Sequence, residues 1–570
     1  MKFLRGIFFV FFFCSKAFCA VETISSGSFI VNMGVIPQTM ANGLKPYGLV
    51  YELLNTYHVP VKWIINPTKA KDGGDFTYNG TVFSGGAFVI LSEYRTAAVN
   101  AAINTWIVQG VVGQNTNTPI NLDVYATLTY APRWTIDRFS GNLVTPFFLN
   151  AGIPDSAHGG SLTTGWKLPS ELTQCDDIFA LPHADPTWNT HNNLLAWNRD
   201  YRGAIWSGCH APSVMEDAVS PDNSQRMNFL STNGFINYQA HQDGTPPYSY
   251  AYDTNPIMQF IGSLDQATNN GSEGIYLLKP GSSWRPGVEV SVWDPTHSDV
   301  PAFSPGPATV LAYGRGFADP SRGWVMYQGG HFHNGGTGGG FSGVPFNSHH
   351  IALQRAFFNF AFMAVVDKQN NSIQPQISAA STMLPGVSYP VSFTLPAGTD
   401  LSQYTFEWSA SSGTIIPDNA SQNITYIPDN DLSIRIALIT LVMTDACGRQ
   451  YFETHNINMQ LDPNNDGKIS VPQLLSPNKD GSGNDYLHIK NIELYPDNEI
   501  TIYNRWGNIV YKEKGYDNST RFFAGSLKMK STAVTDGVFY YVLTVNNTFT
   551  NTNTNSGSKE LIKGYFILRR

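Results

Sequence analysis

Residues Ala204-Ile205-Trp206-Ser207-Gly208-Cys209-His210-Ala211 hold the pattern on which the fold assignment turns. Ala204–Ser207 is a short apolar run with the length and composition of a buried strand. Gly208 permits a sharp turn, and good helix formers begin at Ala211. Working outward, the same alternation recurs on both sides. Strands are expected at Ser28–Val35, Val61–Ile65, Ala87–Leu91, Leu122–Thr127, Asp177–Leu181, Thr309–Tyr313 and Trp324–Gln328. Helical spacing occupies Tyr47–Tyr57, Thr96–Gln109, Asn192–Asp200 and the long amphipathic run His350–Val366. Strands that alternate with helices predict an α/β head over residues 21–367, with a mainly parallel sheet covered on both faces. Ligands of such sheets sit at the carboxyl ends of the strands.

Those ends carry the candidate chemistry. A cysteine at a strand-to-helix turn is presented outward, and the helix N-terminus lowers its thiol pKa. Cys209 occupies that place, and His331 follows the strand Trp324–Gln328 just past its end. On these two features the head resembles the class I glutamine amidotransferase-like superfamily, whose fold is flavodoxin-like. The resemblance implies Cys209 as nucleophile, His331 as its base and backbone N–H groups as the oxyanion hole. Two departures stand out: Ala211 replaces the second elbow glycine, and His331-Phe332-His333 replaces a His-x-Glu pair. The head is therefore read as an extracellular ligand-binding relative, for a carbohydrate or a peptide. The alternatives are a Cys-His hydrolase and a surface adhesion or gliding-associated component.

Neighbouring residues have ordinary and functional readings. Glu216 and Asp217 would assist the elbow or simply face solvent, and His210 would cap the helix. His331 and His333 would join His210 or His241 around a metal, but His-x-His without a third ligand does not make a site. The glycine-rich run Gly329–Gly343 lacks the Lys-Ser/Thr of a phosphate loop, so no nucleotide is expected. No cofactor is expected. Trp134, Trp188, Trp197 and Trp293 would line a carbohydrate cleft or fill the core.

Beyond the head the pattern becomes all-β. Short alternating strands with regular turns over residues 374–460 predict an Ig-like or PKD-like sandwich with Trp408 in its core. Residues 461–475 form a linker. Within it Asp462, Asn464 and Asp466 stand at the first, third and fifth positions of a calcium loop, but Gln473 takes the twelfth instead of Glu. A solvated linker is the favoured reading.

Residues 476–570 carry four ordered motifs. Ser476-Pro477-Asn478-Lys479-Asp480-Gly481 is similar to an "SPNGDG" opening. Ile502-Tyr503-Asn504-Arg505-Trp506-Gly507 with Val510-Tyr511 is similar to "IYNRWGxxVY". Asp536-Gly537-Val538-Phe539-Tyr540-Tyr541 is similar to "DGTYYY", and Lys563-Gly564-Tyr565 to "KGYVxIxR". Together they resemble the gliding motility-associated C-terminal domain, a type B sorting domain of the type IX secretion system of Bacteroidota. The resemblance implies the type IX secretion machinery as partner. It also implies a surface or secreted destination reached through the periplasm. Arg505, Trp506, Tyr540 and Lys563 would then serve recognition or packing.

Composition agrees with export. Charged residues are 14% and aromatics 13%, the reverse of a disordered chain. A net charge of −8 without a basic stripe excludes nucleic-acid binding. Met1–Ala20 reads as a signal peptide: Lys2 and Arg5 precede an apolar run and small residues. Cleavage after Ala17 is favoured. No later run is apolar enough to span a bilayer. Three cysteines follow, Cys175, Cys209 and Cys447. A Cys175–Cys209 bridge would leave Cys447 single.

Overall fold

Strands and helices form where the spacing of apolar residues demands them, and local signals set their ends. Thr96 caps the helix Ala97–Val108 by accepting a hydrogen bond from Val99 N at 3.3 Å. Pro46 enters the first turn of Lys45–Asn55, where its missing N–H costs nothing. The computed structural model describes residues 20–570 except 162–163, 237–242, 266, 269–272, 297–307, 331–336, 339–340, 343–344, 418–419, 431–435, 461–467, 479–483, 496, 527–532 and 548–557. The chain divides into two units. One holds residues through Pro375 with Leu395–Thr405 and Val442–Phe452; the other holds Gln376–Thr394, Phe406–Leu441 and Glu453–Arg570.

The first unit is not the mainly parallel α/β head that the alternation predicts. Among the described residues it contains two large sheets, beside two-stranded ribbons such as Gly74–Tyr78 with Thr81–Ser84. Six strands run in the order Ala20–Ile24, Ile120–Leu128, Val61–Ile64, Ala87–Ile90, Phe29–Val31 and Gly113–Asn115. Every pairing in that sheet is antiparallel. The second sheet is mixed. Its order is Ser249–Tyr250, Glu289–Asp294, Ala308–Arg315, Trp324–Gln328, Ala204–Gly208, Ile178–Leu181 and Trp134–Ile136. Only the last four of these strands are mutually parallel; the rest pair antiparallel. The flavodoxin-like and amidotransferase-like assignment is thereby overturned, because an antiparallel sheet interrupted by helices produces the same alternation in sequence. With few long helices, the molecule is mostly β.

The helix Ser348–Asn370 also departs from expectation. Its spacing suggested one wet face, yet every residue from His350 to Val365 is buried. It lies between the two sheets. Phe362 packs on Trp63 and Phe88 of the antiparallel sheet at 6.3 and 5.8 Å between ring centres. Phe357 packs on Trp206 of the mixed sheet at 5.1 Å. Mid-helix, the buried Arg355 guanidinium donates to the carbonyls of Met33, Gly85 and Gln259 and to Gln38 Oε1 at 2.6–2.9 Å. Both terminal nitrogens of this deep charge are thus satisfied, whereas its Nε has no hydrogen-bond partner among the described residues.

The cysteine pairing expected from sequence is likewise replaced. Cys175 bonds Cys447, with Cα atoms 5.0 Å apart, and Cys209 is in no disulfide. The hairpin tip that carries Cys447 also places Arg449 Nε 2.8 Å from Asp177 Oδ1. These contacts bring residues 272 positions apart into one place, which local spacing does not reveal.

The second unit is all-β. Gln376–Ser378, Tyr389–Thr394, Asn423–Ile427 and Thr414–Ile416 form a four-stranded antiparallel sheet. Trp408 is buried beside Phe393, and its Nε1 donates to Ser421 O at 2.8 Å. A five-stranded sheet follows, ordered Leu474–Leu475, Ser558–Leu568, Gly537–Asn547, Asn498–Asn504 and Ile509–Lys514. Its core includes Leu487, Ile500, Ile502, Phe523, Phe539 and Phe566.

Candidate functional site

The parallel strands of the mixed sheet end side by side, and their carboxyl ends gather polar groups. The elbow strand Ala204–Gly208 is wholly buried, so the residues after it emerge at a fixed point. Cys209 takes a left-handed conformation, φ 48°, which a side-chain-bearing residue adopts only at a cost. Its N–H donates to Gly330 O at 3.1 Å, and Tyr276 Oη donates to its carbonyl at 2.9 Å. The turn thus has the elbow geometry, but Cys209 itself is 0% exposed. His331 and His333 lie outside the described residues, as does His241.

Three groups that the sequence reading passed over or left apart surround the elbow. Glu273 is buried, and Ser213 Oγ donates to both its carboxylate oxygens at 3.2 Å. Burial pushes its carboxyl up to about 8, against the pull of His210 and Ser213. His183 and Asp185 follow the strand Ile178–Leu181, which is the parallel neighbour of the elbow strand. His210 Nδ1 lies 2.8 Å from Asp185 Oδ1, and the His183 and His210 rings are 4.8 Å apart. Burial, then the nearby His210, lowers the His183 pKa. The visible signal was positional: His183 and His210 each stand two residues past the end of an adjacent strand.

Glu216, expected either to assist the elbow or to face solvent, is buried. It accepts from Leu230 N at 2.7 Å, Ser231 N at 3.1 Å and the hydroxyls of Ser231 and Tyr327. Asp217 lies 3.2 Å from Arg226. Both hold the following loop in place.

A separate cleft of about 570 Å³ opens at the other end of the strand Ile178–Leu181, lined by Tyr51, Arg133, Trp134, Lys167 and Asp176. Lys167 Nζ bridges both Asp176 oxygens at 2.7 and 2.8 Å. Burial raises the Asp176 pKa, but the hydrogen bonds from Lys167, Thr135 and Thr173 outweigh it and hold the carboxyl below the ordinary range. Trp134 Nε1 is buried with no hydrogen-bond partner among the described residues. Trp197 is a core residue that donates to Thr173 O at 2.9 Å, whereas Trp188 and Trp293 are half-buried.

In the second unit the sorting motifs occupy strands and a turn. Arg505 stacks on Trp506 at 4.0 Å in the turn closed by Gly507, φ 81°. Trp506 is 70% exposed. Tyr540 is half exposed and lies opposite Tyr503 and Tyr565. Asp536 binds Arg570 N at 3.1 Å, and Gly537 starts the strand that follows. Lys563 pairs in register with Val542 and faces solvent. Gly564 must be glycine, since a Cβ there would enter the Tyr541 ring. Asn478 N donates to Ser476 O at 2.8 Å. Asp480, Gly481 and the calcium-loop residues Asp462, Asn464 and Asp466 lie outside the described residues.

Among curated proteins none matches the chain. Solved structures similar to parts of it include mouse cadherin-23 EC22–24 (11% identity, 35% of this chain and 67% of that one, TM-score 0.15). A tetra-tandem repeat of a large adhesion protein is 9% identical over 45% of this chain and 55% of that one, TM-score 0.19. Dimeric latent PorU from Porphyromonas gingivalis is 12% identical over 45% and 23%, TM-score 0.11. Scores this low carry no conclusion about shared fold. Residues 469–566 match the CHU_C type IX secretion signal domain. Among the described residues no helix is long and apolar enough to cross a membrane. The chain carries a type IX secretion signal domain, is handled by that machinery, and is exported to the cell surface or secreted.

Proposed function

We propose that this exported protein uses its first unit to bind an extracellular ligand, a carbohydrate or a peptide. The supporting observation is the cleft beside Trp134. It combines aromatic walls at Tyr51 and Trp134 with charged groups at Arg133, Lys167 and Asp176, and it leaves a buried indole N–H to be satisfied. Ligand pockets of this size unite an apolar wall with a few placed polar groups. The domain order proposed with it is signal peptide, head to residue 367, sandwich 374–460, linker, and a type B sorting domain over 476–570.

Calorimetric titration of the purified chain with neutral oligosaccharides and short peptides tests this reading. One panel is expected to bind, and Lys167→Ala to weaken binding about tenfold, or ~1.4 kcal/mol. Absence of binding in both panels rejects it. The Cys209–His331 hydrolase is a second reading, favoured by the left-handed strand-to-helix turn at Cys209. Electrophile labelling of Cys209 that slows in His331→Ala supports it; labelling that needs denaturant rejects it.

A further inference from the structure

We propose that His183, Asp185 and His210 bind one divalent transition-metal cation of the zinc type at the carboxyl ends of two adjacent parallel strands. One ligand atom from each residue lies within 4.8 Å of the other two. Two imidazoles and one carboxylate form a donor set that suits zinc or iron(II) over calcium or magnesium, which prefer oxygen. A tetrahedral zinc with bonds of about 2.0–2.2 Å needs donors roughly 3.4 Å apart, so closure asks for side-chain rotation of about an ångström. Asp185 is exposed, so its carboxylate can turn toward a shared ion from its present contact with His210, while the two strands set where the histidines leave the sheet.

The backbone reasons are specific. Ile178–Leu181 and Ala204–Gly208 pair in parallel, with Leu181 opposite Ser207. Two residues beyond each pair member's strand, the chain delivers one histidine. His183 N also donates to Ser140 Oγ at 3.3 Å, and Ser140 Oγ to Asp137 at 2.9 Å, which anchors the backbone behind the ring. A plain ion pair would need His210 and Asp185 alone. The second imidazole lies 4.8 Å from the first, so a shared cation would use both rings. Three protein ligands leave the fourth position of a tetrahedral ion open to water or a ligand atom. The site lies at the opposite end of Ile178–Leu181 from the cleft, so it is independent of the binding reading above.

The test uses the whole chain, stripped with a chelator and titrated with zinc in a calorimeter, with metal content measured after dialysis. About one zinc per chain is expected. His183→Ala and His210→Ala are each expected to weaken it at least about tenfold, as is Asp185→Asn, while His455→Ala leaves it unchanged. Zinc should raise the unfolding temperature of the parent and not of the His183→Ala/His210→Ala double variant, whose metal-free circular dichroism should match the parent's. Unchanged zinc affinity in the double variant overturns the proposal. So does a site that takes calcium in preference to zinc.

Discussion

Glu216 shows what one buried carboxyl does to the pH dependence of stability. Burial pushes its pKa up from 4.5 to about 7, although Ser231, Tyr327 and Leu230 N–H pull it down. A carboxyl with a raised folded-state pKa holds its proton more tightly folded than unfolded. Its contribution is complete below pH 4.5 and is lost as the pH rises through 7. The unfolding free energy should fall by on the order of 2–3 kcal/mol between pH 4.5 and 7.5 on this account. Glu216→Gln, which keeps an acceptor for Leu230 N, should flatten that slope; an unaltered slope in denaturant melts would refute it. Arg355 makes the complementary case. Removing the side chain in Arg355→Ala strands four acceptors among buried backbone and Gln38, and should cost about 3–5 kcal/mol in urea unfolding. Gly564→Val should cost about 1–3 kcal/mol by overpacking against Tyr541, measured on the second unit's transition.

At the scale of the element, the Cys175–Cys447 bridge closes a loop of 272 residues. Chain entropy makes long loops costly to close in the unfolded state, so Cys447→Ala should lower the stability of the first unit by about 2–4 kcal/mol. Reductant added to the parent should reproduce that loss, and added to the variant should do nothing. Most elements were legible because they depend on local periodicity: the helix at Lys45–Asn55, the strand Ala204–Gly208 and the long helix at Ser348 all lie where spacing puts them. Their partners were not legible. Val61–Ile64 pairs antiparallel with both Ala87–Ile90 and Ile120–Leu128, and nothing in four apolar residues states direction or neighbour. The site divides the same way. The elbow at Cys209 was visible as strand, turn and helix, whereas the nearness of His183 to His210 depends on which strands lie adjacent. The buried state of Cys209 and Glu216 depends on Tyr276 and Tyr327, distant in sequence, and on how the loop after residue 217 folds back over the carboxylate.

For the whole molecule, export rests on residues 469–566. Deleting that segment should trap the protein in the periplasm, where fractionation and blotting would find it. Release into the medium at the parental level would contradict the assignment of the signal. The central helix sets a different condition. It occupies residues 348–370, after every strand of both sheets that it separates. A chain that is made or threaded from its amino end therefore assembles both sheets while their inner faces are only partly covered, by Tyr47 on Phe88 and by Phe147 on Trp206. Phe357 on Trp206 and Phe358 on Trp134 then complete the mixed sheet's cover, and Phe362 on Trp63 and Phe88 that of the antiparallel sheet. Such a keystone postpones the final collapse, and for that interval the nascent chain displays its greasiest surface to whatever holdase attends it.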